Sequence, residues 1–325
     1  MINRILSKLN RTGNNISFNT GLFARRTLRN TKNIILMYHG VDLVGDTRFN
    51  TRHTSKSDFY RQIQFLKKYC HIISLKDFFE ERFIKGRPNI VLTFDDGYRN
   101  NFLFAKPILE EAKVNGTFYI TGLNEGESDI LWADFLNIAV TLTLQDINIE
   151  GENFRQNNGK YFSLDTGKSL YSIIKDENAS SEYKRKMMDS FKLLYDFKTD
   201  VRYDDYWKLM TDNEILKCSE SKYLEIGSHG FLHNNLGTIT QDKAYKEISD
   251  SKKYLENVIQ KKVVSIGYPD GSYTRETIDS AENLGFLYQT AVSYKFSEDS
   301  ADSRIHDRSG VYTCDSCANQ IMSLL

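Results

Sequence analysis

The pattern of hydrophobic and polar positions predicts short strands that alternate with helices along most of the chain. Apolar runs of strand length recur between longer segments whose apolar residues repeat with helical spacing. The predicted strands are 34–38, 72–74, 90–94, 117–121, 224–228, 263–268, 287–291 and 310–312. The predicted helices are 57–69, 76–85, 101–113, 241–260 and 274–284. This alternation is typical of βα units around a parallel sheet.

The interval 129–204 interrupts this alternation. Its pattern predicts a helix at 131–136, a hairpin formed by 147–151 and 160–164, and a helix at 183–195, and a further helix is predicted just after it at 206–217. An insertion after a barrel strand lies over the carboxyl-end face, where it can shape a substrate cleft. Trp132 and Asp134 could line such a cleft. A peripheral stabilising subdomain with Trp132 in its core is the alternative, and the pattern leaves both open.

The sequence therefore predicts a basic N-terminal arm, 1–32, followed by one α/β domain, 33–325, with an α-rich insertion at about 129–204. Hydrophobic residues make up 40% of the 325 positions and aromatic residues 13%, which is typical of a globular core. The arm holds seven of the 43 basic residues and no acid, so the remainder carries a net charge of −7. An acidic body does not favour nucleic-acid binding. The arm could contact an anionic membrane surface or be a solvated tail.

The N-terminus has no uninterrupted apolar segment of the kind a secretory signal needs, and no run of the chain is long enough to span a bilayer. The expected location is therefore the cytoplasm, with membrane association through the arm as an option. The four cysteines fit free thiols in a reducing compartment. Cys314 and Cys317 form a CxxC pair, but no second pair completes a tetrahedral zinc site.

Two adjacent carboxylates, Asp95 and Asp96, lie in the stretch 93–98, which directly follows the apolar run 90–92, and Gly97 comes directly after them. A strand that ends in this way projects charge from the rim of a sheet. Adjacent carboxylates repel each other, so a cation, a shared proton or solvent must compensate them. Taken alone, an Asp-Asp-Gly sequence is also typical of a simple turn.

Polar residues also follow a second predicted strand, 224–228, and they include His229 and His233. Because they are four residues apart, one helical turn would place both rings on the same face. Two imidazoles and one carboxylate suit zinc or a similar divalent ion, with one coordination position left for water. An isolated pair of this kind is often a surface or core feature. The joint occurrence of both motifs at strand ends indicates a hydrolytic site.

These residues resemble the motifs of the polysaccharide deacetylase family, carbohydrate esterase family 4, which contains a nodulation-protein-B-like homology domain. Residues 93–98 resemble its first motif, 229–233 its second, and 266–273 a variant of its third. The upstream segment 35–41 resembles the opening strand of the branch that deacetylates exopolysaccharides and surface glycans. The resemblance implies a distorted (β/α) barrel, usually of seven strands.

The similarity covers residues 33–125 and 205–313 in order. The residues that follow predicted strands include His39, Asp95, Asp96, His229 and the loop 268–273. In a parallel barrel the carboxyl ends of the strands share one rim. Residues far apart in the sequence can therefore meet around one ion.

The resemblance implies Asp96, His229 and His233 as ligands of a divalent metal, of which Zn²⁺ is the first choice and Co²⁺ or Ni²⁺ are alternatives. It implies Asp95 as the general base that takes a proton from water at the metal. It also implies that a backbone N–H of the third-motif loop stabilises the oxyanion. That loop comprises Tyr268, Pro269, Asp270 and Gly271.

The chain differs from the family pattern in two residues with catalytic roles, the Arg that orients the catalytic Asp and the His that acts as the general acid. The third motif lacks the Arg that orients the catalytic Asp, and Arg308 is the candidate to supply that charge. The general acid comes from a Leu-x-His motif near the C-terminus, and the nearest residue here is His306. A solvated surface histidine is the alternative for His306. His39 is the rival acid, and it could instead be a hydrogen-bonding neighbour of the metal site.

The expected activity is metal-dependent removal of N-acetyl groups from an acetamido-sugar glycan of the surface-polysaccharide or O-antigen type. An amidase of the same superfamily, acting on a small amide or imide, is one alternative. A carbohydrate-binding homologue without catalysis is another, because the third motif is altered. The expected partner is the N-acetylated glycan.

Overall fold

Parallel strands form the central sheet of the protein, and they curve almost into a closed barrel. The computed structural model describes residues 2–21, 33–123, 129–176, 179–312 and 316–325. The strands are β1 (Ile34–Tyr38), β2 (Val41–Asp42), β3 (Thr54–Ser55), β4 (His71–Ile72), β5 (Asn89–Phe94), β6 (Gly116–Ile120), β7 (Ile147–Ile149), β8 (Glu152–Asn157), β9 (Lys160–Ser163), β10 (Leu224–Ser228), β11 (Ser265–Gly267), β12 (Tyr288–Ala291), β13 (Ile305–Asp307) and β14 (Ser309–Gly310).

Helices cover the outside of this sheet and build the insertion. They are α1 (Ile2–Thr20), α2 (Lys56–Tyr69), α3 (Leu75–Phe79), α4 (Lys106–Ala112), α5 (Trp132–Leu142), α6 (Leu170–Asp176), α7 (Ser181–Lys192), α8 (Asp212–Ser219), α9 (Gln241–Ile259), α10 (Arg275–Asn283) and α11 (Cys317–Met322). Every predicted strand of the sheet corresponds to an observed one, with boundaries that differ by at most two residues.

The sheet runs in the order β13-β12-β11-β10-β6-β5-β1-β14, with β4 paired to β5 off this path, and all of these pairings are parallel. Only Arg308 separates β13 from β14. Since β13 pairs with β12 and β14 pairs with β1, one bent segment joins the last strand to the first. The predicted distorted (β/α) barrel is confirmed. Within the described residues, the main path of the sheet has seven strand positions if β13 and β14 count as one strand.

The strands form because their residues fill the barrel interior and the layer beneath the helices. All six residues of β5 are buried, and α2 turns Phe59, Ile63 and Leu66 inward, as its helical spacing predicts. Burial of each such side chain contributes about 1.5–3 kcal/mol. This packing fixes the strands and so fixes the positions of the residues that follow them.

Two predicted helices are too long. The helix predicted at 76–85 ends at Phe79, and Glu81 adopts a left-handed backbone with φ of 52°. The helix predicted at 206–217 begins only at Asp212, where Thr211 and Glu214 form a capping box. Local capping outweighs the apolar spacing that suggested a longer helix.

The insertion has its own hydrophobic core. The antiparallel sheet β7-β8-β9 and helices α5 to α7 pack around buried aromatic residues. These include Phe135, Phe154, Tyr161, Phe191 and Phe197. The insertion is therefore a mixed subdomain of helices and a small sheet, whereas the sequence predicted an α-rich one with a hairpin.

The N-terminal helix packs on the barrel through its second half, where Phe18 stacks on Phe65 with ring centroids 4.7 Å apart. Among the described residues, no helix is long and apolar enough to cross a membrane. Most side chains of the predicted basic arm, and Cys314 of the CxxC pair, lie outside the described residues. Cys70, Cys218 and Cys317 are free and buried.

Candidate active site

Asp95 and Asp96 directly follow β5 and place two carboxylates at the carboxyl end of the barrel. Asp96 has a φ of 73° and Gly97 a φ of 78°, so the backbone turns sharply through the left-handed region. A non-glycine residue there costs of order 1–2 kcal/mol, and surrounding contacts must hold it. The Thr121 hydroxyl donates to the Asp96 carbonyl at 3.3 Å, and the Asp95 N–H donates to the Tyr38 carbonyl at 3.0 Å.

His229 and His233 converge on Asp96. The Nε2 atoms of the two rings lie 3.3 Å and 3.2 Å from the same oxygen, Oδ1 of Asp96. The ring centroids are 5.0 Å apart. The two rings meet through a loop, not through the helical turn that their spacing suggested, because Gly230 and His233 have φ values of 72° and 55°.

The three ligand atoms fit a divalent metal. They lie within 4.8 Å of one another, and the buried Oδ1 of Asp96 has no hydrogen bond of good geometry within the described structure. Ligands about 2.0–2.1 Å from a tetrahedral zinc would be about 3.3 Å apart, close to the spacing found here. The His229 Nδ1–H donates to the Gly267 carbonyl at 2.7 Å, which leaves Nε2 free to coordinate.

Arg308 holds Asp95 in a bidentate pair. Its Nη1 lies 2.6 Å from Oδ1 and its Nη2 lies 2.8 Å from Oδ2, while Nη1 also donates to the Thr93 hydroxyl at 3.2 Å. Burial by itself would raise the pKa of Asp95, but the charge of Arg308 and the nearby His229 outweigh it and lower the pKa. Asp95 is therefore an anion at neutral pH.

Arg52 contacts Asp96 of the Asp96–His229–His233 group. The sequence analysis did not identify it. Its Nη1 lies 3.3 Å from Oδ2 of Asp96, and its Nη2 contacts Oδ1 of Asp134 at 2.5 Å and the Tyr98 hydroxyl at 2.9 Å. One carboxylate oxygen of Asp96 thus faces the two imidazoles and the other faces a guanidinium anchored on α5. Arg52 lies in a loop without a motif, so no signal in a single sequence could have found it.

Of the two histidines proposed as the general acid, only His39 lies at this site. His39 is buried and lines the same cavity as Asp96, His229 and His233. Its Nδ1 has no hydrogen-bond partner among the described residues. Burial, and then the charge of Arg52, lower its pKa to about 4. The structure does not bring His306 to the site, because its ring packs on Phe78 and Phe79 of α3, outside the barrel.

The third-motif loop is split between core and cleft. The Tyr268 side chain is buried and donates to Oε1 of Gln289 at 2.6 Å, so it packs in the barrel and does not line the site. Pro269 has no N–H, and the Gly271 N–H donates to the Tyr268 carbonyl at 2.9 Å. The Asp270 N–H is therefore the loop donor without a backbone hydrogen bond in the described structure.

A cavity of about 590 Å³ opens over this group and extends to the insertion. The barrel side includes His39, Asp95, Asp96, His229, His233 and Asp270. The insertion side includes Trp132, Lys160, Tyr171 and Lys175. The volume lies within the range of small-ligand sites, about 300–1,000 Å³. The insertion thus lines the cleft, which favours the first of its two interpretations, and Trp132 is half-buried at its wall.

A parallel β/α barrel whose ionisable side chains gather at the carboxyl ends of its strands has the architecture of the barrel enzymes. The family model described as "Polysaccharide deacetylase" matches residues 84–147 and 195–289, on either side of most of the insertion. The resemblance to the polysaccharide deacetylase family that the motifs predicted is therefore confirmed.

Individual relatives match less of the sequence. The YxkH protein of Bacillus subtilis (strain 168) is 36% identical over 80 residues, which are 25% of this chain and 28% of that protein. The large ribosomal subunit protein bL9 of Clostridium perfringens (strain SM101 / Type A) is 29% identical over 119 residues, 36% of this chain and 80% of that protein. A partial match of this extent does not define a family.

Solved structures share the fold over most of the chain. The Streptococcus pyogenes deacetylase PplD in complex with acetate has a TM-score of 0.57 at 16% identity, covering 91% of this chain and 99% of that one. A de-N-acetylase from Aggregatibacter actinomycetemcomitans has a TM-score of 0.53 at 17% identity, covering 91% and 100%. At these identities the likeness shows the barrel fold alone.

Proposed function

We propose that this protein is a metal-dependent N-deacetylase that acts on an acetamido sugar of a surface polysaccharide or O-antigen-type glycan. One observation carries the proposal: the Asp96–His229–His233 group and an Asp95 held ionised by Arg308 face one cavity. The match to the polysaccharide deacetylase family model supports deacetylation, and the acetate in the PplD structure is the product that such a reaction would release.

Asp96, His229 and His233 would hold the metal, for which zinc is the first choice given two imidazoles and one carboxylate. When bound, it would polarise the acetamide carbonyl and lower the pKa of water to about 7. Asp95 accepts the proton of the attacking water, and Arg308 orients its carboxylate. The Asp270 N–H donates to the oxyanion that develops on the carbonyl oxygen as water attacks the carbonyl carbon. The products are acetate and a sugar with a free amine.

The departing amine needs a proton. His39, with a pKa of about 4, is neutral at pH 7 and cannot donate unless it first receives one. We therefore assign the transfer to Asp95, which carries the proton taken from water, and assign His39 a hydrogen-bonding role at the substrate.

His39→Gln is expected to lower kcat/KM by about 10- to 100-fold, because the amide does not place a hydrogen-bonding atom where the imidazole contacts the substrate. His306→Gln is the matched control, since His306 packs outside the barrel. It should stay within about twofold of wild type. Steady-state deacetylation by both variants measures this. A larger loss in His306→Gln than in His39→Gln would contradict the assignment.

The decisive experiment measures metal content and acetate release together, across a panel of soluble and lipid-linked N-acetylated glycans. Zinc-loaded protein is expected to release acetate, a chelator to abolish the release, and added zinc to restore it. Ring opening of cyclic imides without acetate release from any glycan would instead indicate the amidase. Glycan binding without hydrolysis of either substrate class would indicate a carbohydrate-binding homologue.

A further inference from the structure

The cleft is electrostatically polarised between the barrel and the insertion. On the barrel side, the acids Asp95, Asp96 and Asp270 line the cavity, and the guanidinium of Arg52 there is paired with Asp96 and Asp134. On the insertion side, both charged residues that line the cavity within the described chain are lysines, Lys160 and Lys175. A substrate that spans the cleft therefore meets the catalytic group at one end and cations at the other.

Two aromatic rings line the same side of the cavity. Trp132 at the start of α5 and Tyr171 on α6 have ring centroids 5.2 Å apart at an interplanar angle of 46°. Tyr171 is 42% exposed although it is a large hydrophobic residue on the cavity wall. Partly exposed aromatic faces beside a few polar groups are the usual lining of small-molecule sites. Their flat apolar faces suit the C–H face of a sugar ring.

A lysine ammonium lies near the face of each ring: Lys175 of the cavity wall at Tyr171, and Lys184, which does not line the cavity, at Trp132. The Lys175 ammonium is 5.9 Å from the Tyr171 ring centroid, and the Lys184 ammonium is 5.9 Å from that of Trp132. The Lys175 ammonium also lies 3.7 Å from Oδ1 of Asp270, which joins the insertion to the third-motif loop. That pair is only partly buried, so an anionic ligand group can compete for Lys175 at modest cost.

We propose that the insertion is the substrate-binding wall of the enzyme and that it selects an acidic N-acetylated glycan. A sugar ring stacks on the Trp132–Tyr171 pair, and a carboxylate or phosphate on that ring or the next one pairs with Lys160 and Lys175. The acetamido group then lies at the metal end of the cleft. This proposal rests on the proposed deacetylase function and adds the chemical class of its substrate.

The test compares three matched acetamido-sugar oligosaccharides: a neutral one, one with a uronate and one with a phosphate diester. Wild type should prefer an acidic oligosaccharide, and the two acidic arms identify the carboxylate or the phosphate as the recognised group. Lys160→Gln and Lys175→Gln should each raise KM for that substrate about tenfold, with kcat within twofold and the neutral substrate unaffected. Tyr171→Ala should raise KM for all three.

Lys192→Gln is the control for charge removal, since Lys192 is a lysine of the same insertion that does not line the cavity. An unchanged KM for the acidic substrates in both cavity lysine variants would overturn the proposal. So would an equal preference of wild type for neutral and acidic oligosaccharides.

Hydrolysis of an aryl acetate distinguishes the proposal of a substrate-binding wall from the proposed deacetylase function. This small ester needs only the end of the cleft that holds Asp96, His229 and His233. If all variants hydrolyse it equally and the lysine variants also treat acidic glycans like wild type, the wall proposal fails and the deacetylase stands. If no form hydrolyses it or releases acetate from a glycan, the deacetylase fails. Calorimetric affinities for acidic and neutral oligosaccharides then still decide whether the wall selects acids.

Discussion

Asp95→Asn is expected to lower kcat by roughly 10³-fold, with the metal still bound and glycan affinity within a few-fold of wild type. The amide keeps the size of the carboxylate but cannot accept a proton from water. Asp96, His229 and His233 are unchanged, so the metal site should be intact. Acetate release under single-turnover conditions, together with metal content and glycan affinity, measures this.

The matched control is Asp270→Asn, which removes a carboxylate from the same cavity but keeps the loop N–H. Its kcat should change by less than about tenfold, because only the backbone of Asp270 acts at the oxyanion. If Asp95→Asn retained the wild-type rate, Asp95 could not be the base. If wild type itself showed no rate while binding persisted, the chain would be a binding protein.

Arg308→Gln is expected to move the acid limb of the kcat/KM profile to higher pH. In the wild type, Arg308 holds the pKa of Asp95 below its ordinary value against the effect of burial. Without the guanidinium, burial remains as the larger influence and raises the pKa. Asp95 then takes up a proton at a pH where the wild-type carboxylate is ionised, so activity falls first at the acid end.

The same substitution should destabilise the fold. The Arg308 side chain is fully buried and Asp95 nearly so, and removal of one partner of a buried pair costs about 3–5 kcal/mol. The lowered pKa of Asp95 means that the pair stabilises the wild type above the ordinary Asp pKa and loses this contribution as pH falls. In the variant, the raised pKa of Asp95 makes burial of the ionised carboxylate costly as pH rises above the ordinary Asp pKa. Denaturant unfolding at pH 3 and pH 8 should therefore show the larger difference between variant and wild type at pH 8.

Arg308→Lys is the conservative comparison. It keeps the charge but loses the bidentate geometry, so both the shift of the acid limb and the loss of stability should be smaller. Superimposable acid limbs for wild type, Arg308→Gln and Arg308→Lys would contradict the assigned role of Arg308.

The motif residues were accessible from the sequence because each follows a strand directly. Asp95, Asp96 and His229 lie within two residues of the end of a strand, and the barrel brings such ends to one rim. Even so, the helical argument for His229 and His233 was wrong in its geometry. Left-handed residues in the loop, which apolar spacing cannot reveal, bring their rings together.

His306 shows the opposite case, in which sequence position misled. It lies two residues before Arg308, yet its ring packs against α3 while the Arg308 guanidinium contacts Asp95. Successive residues of a strand face opposite sides, and the break between β13 and β14 at Arg308 changes the direction again. A family motif placed by distance from the C-terminus cannot resolve that difference.

By itself the sequence determined the parallel barrel, the carboxylate and imidazole motifs and the resemblance to the polysaccharide deacetylase family, because strand periodicity and the residues just after each strand are local properties. Only the tertiary structure decided that Arg52 holds the second oxygen of Asp96, that Arg308 pairs with Asp95, and that the insertion closes the cleft with lysines and aromatic rings. Those contacts join segments tens to hundreds of residues apart, and their geometry follows from packing that no local pattern encodes.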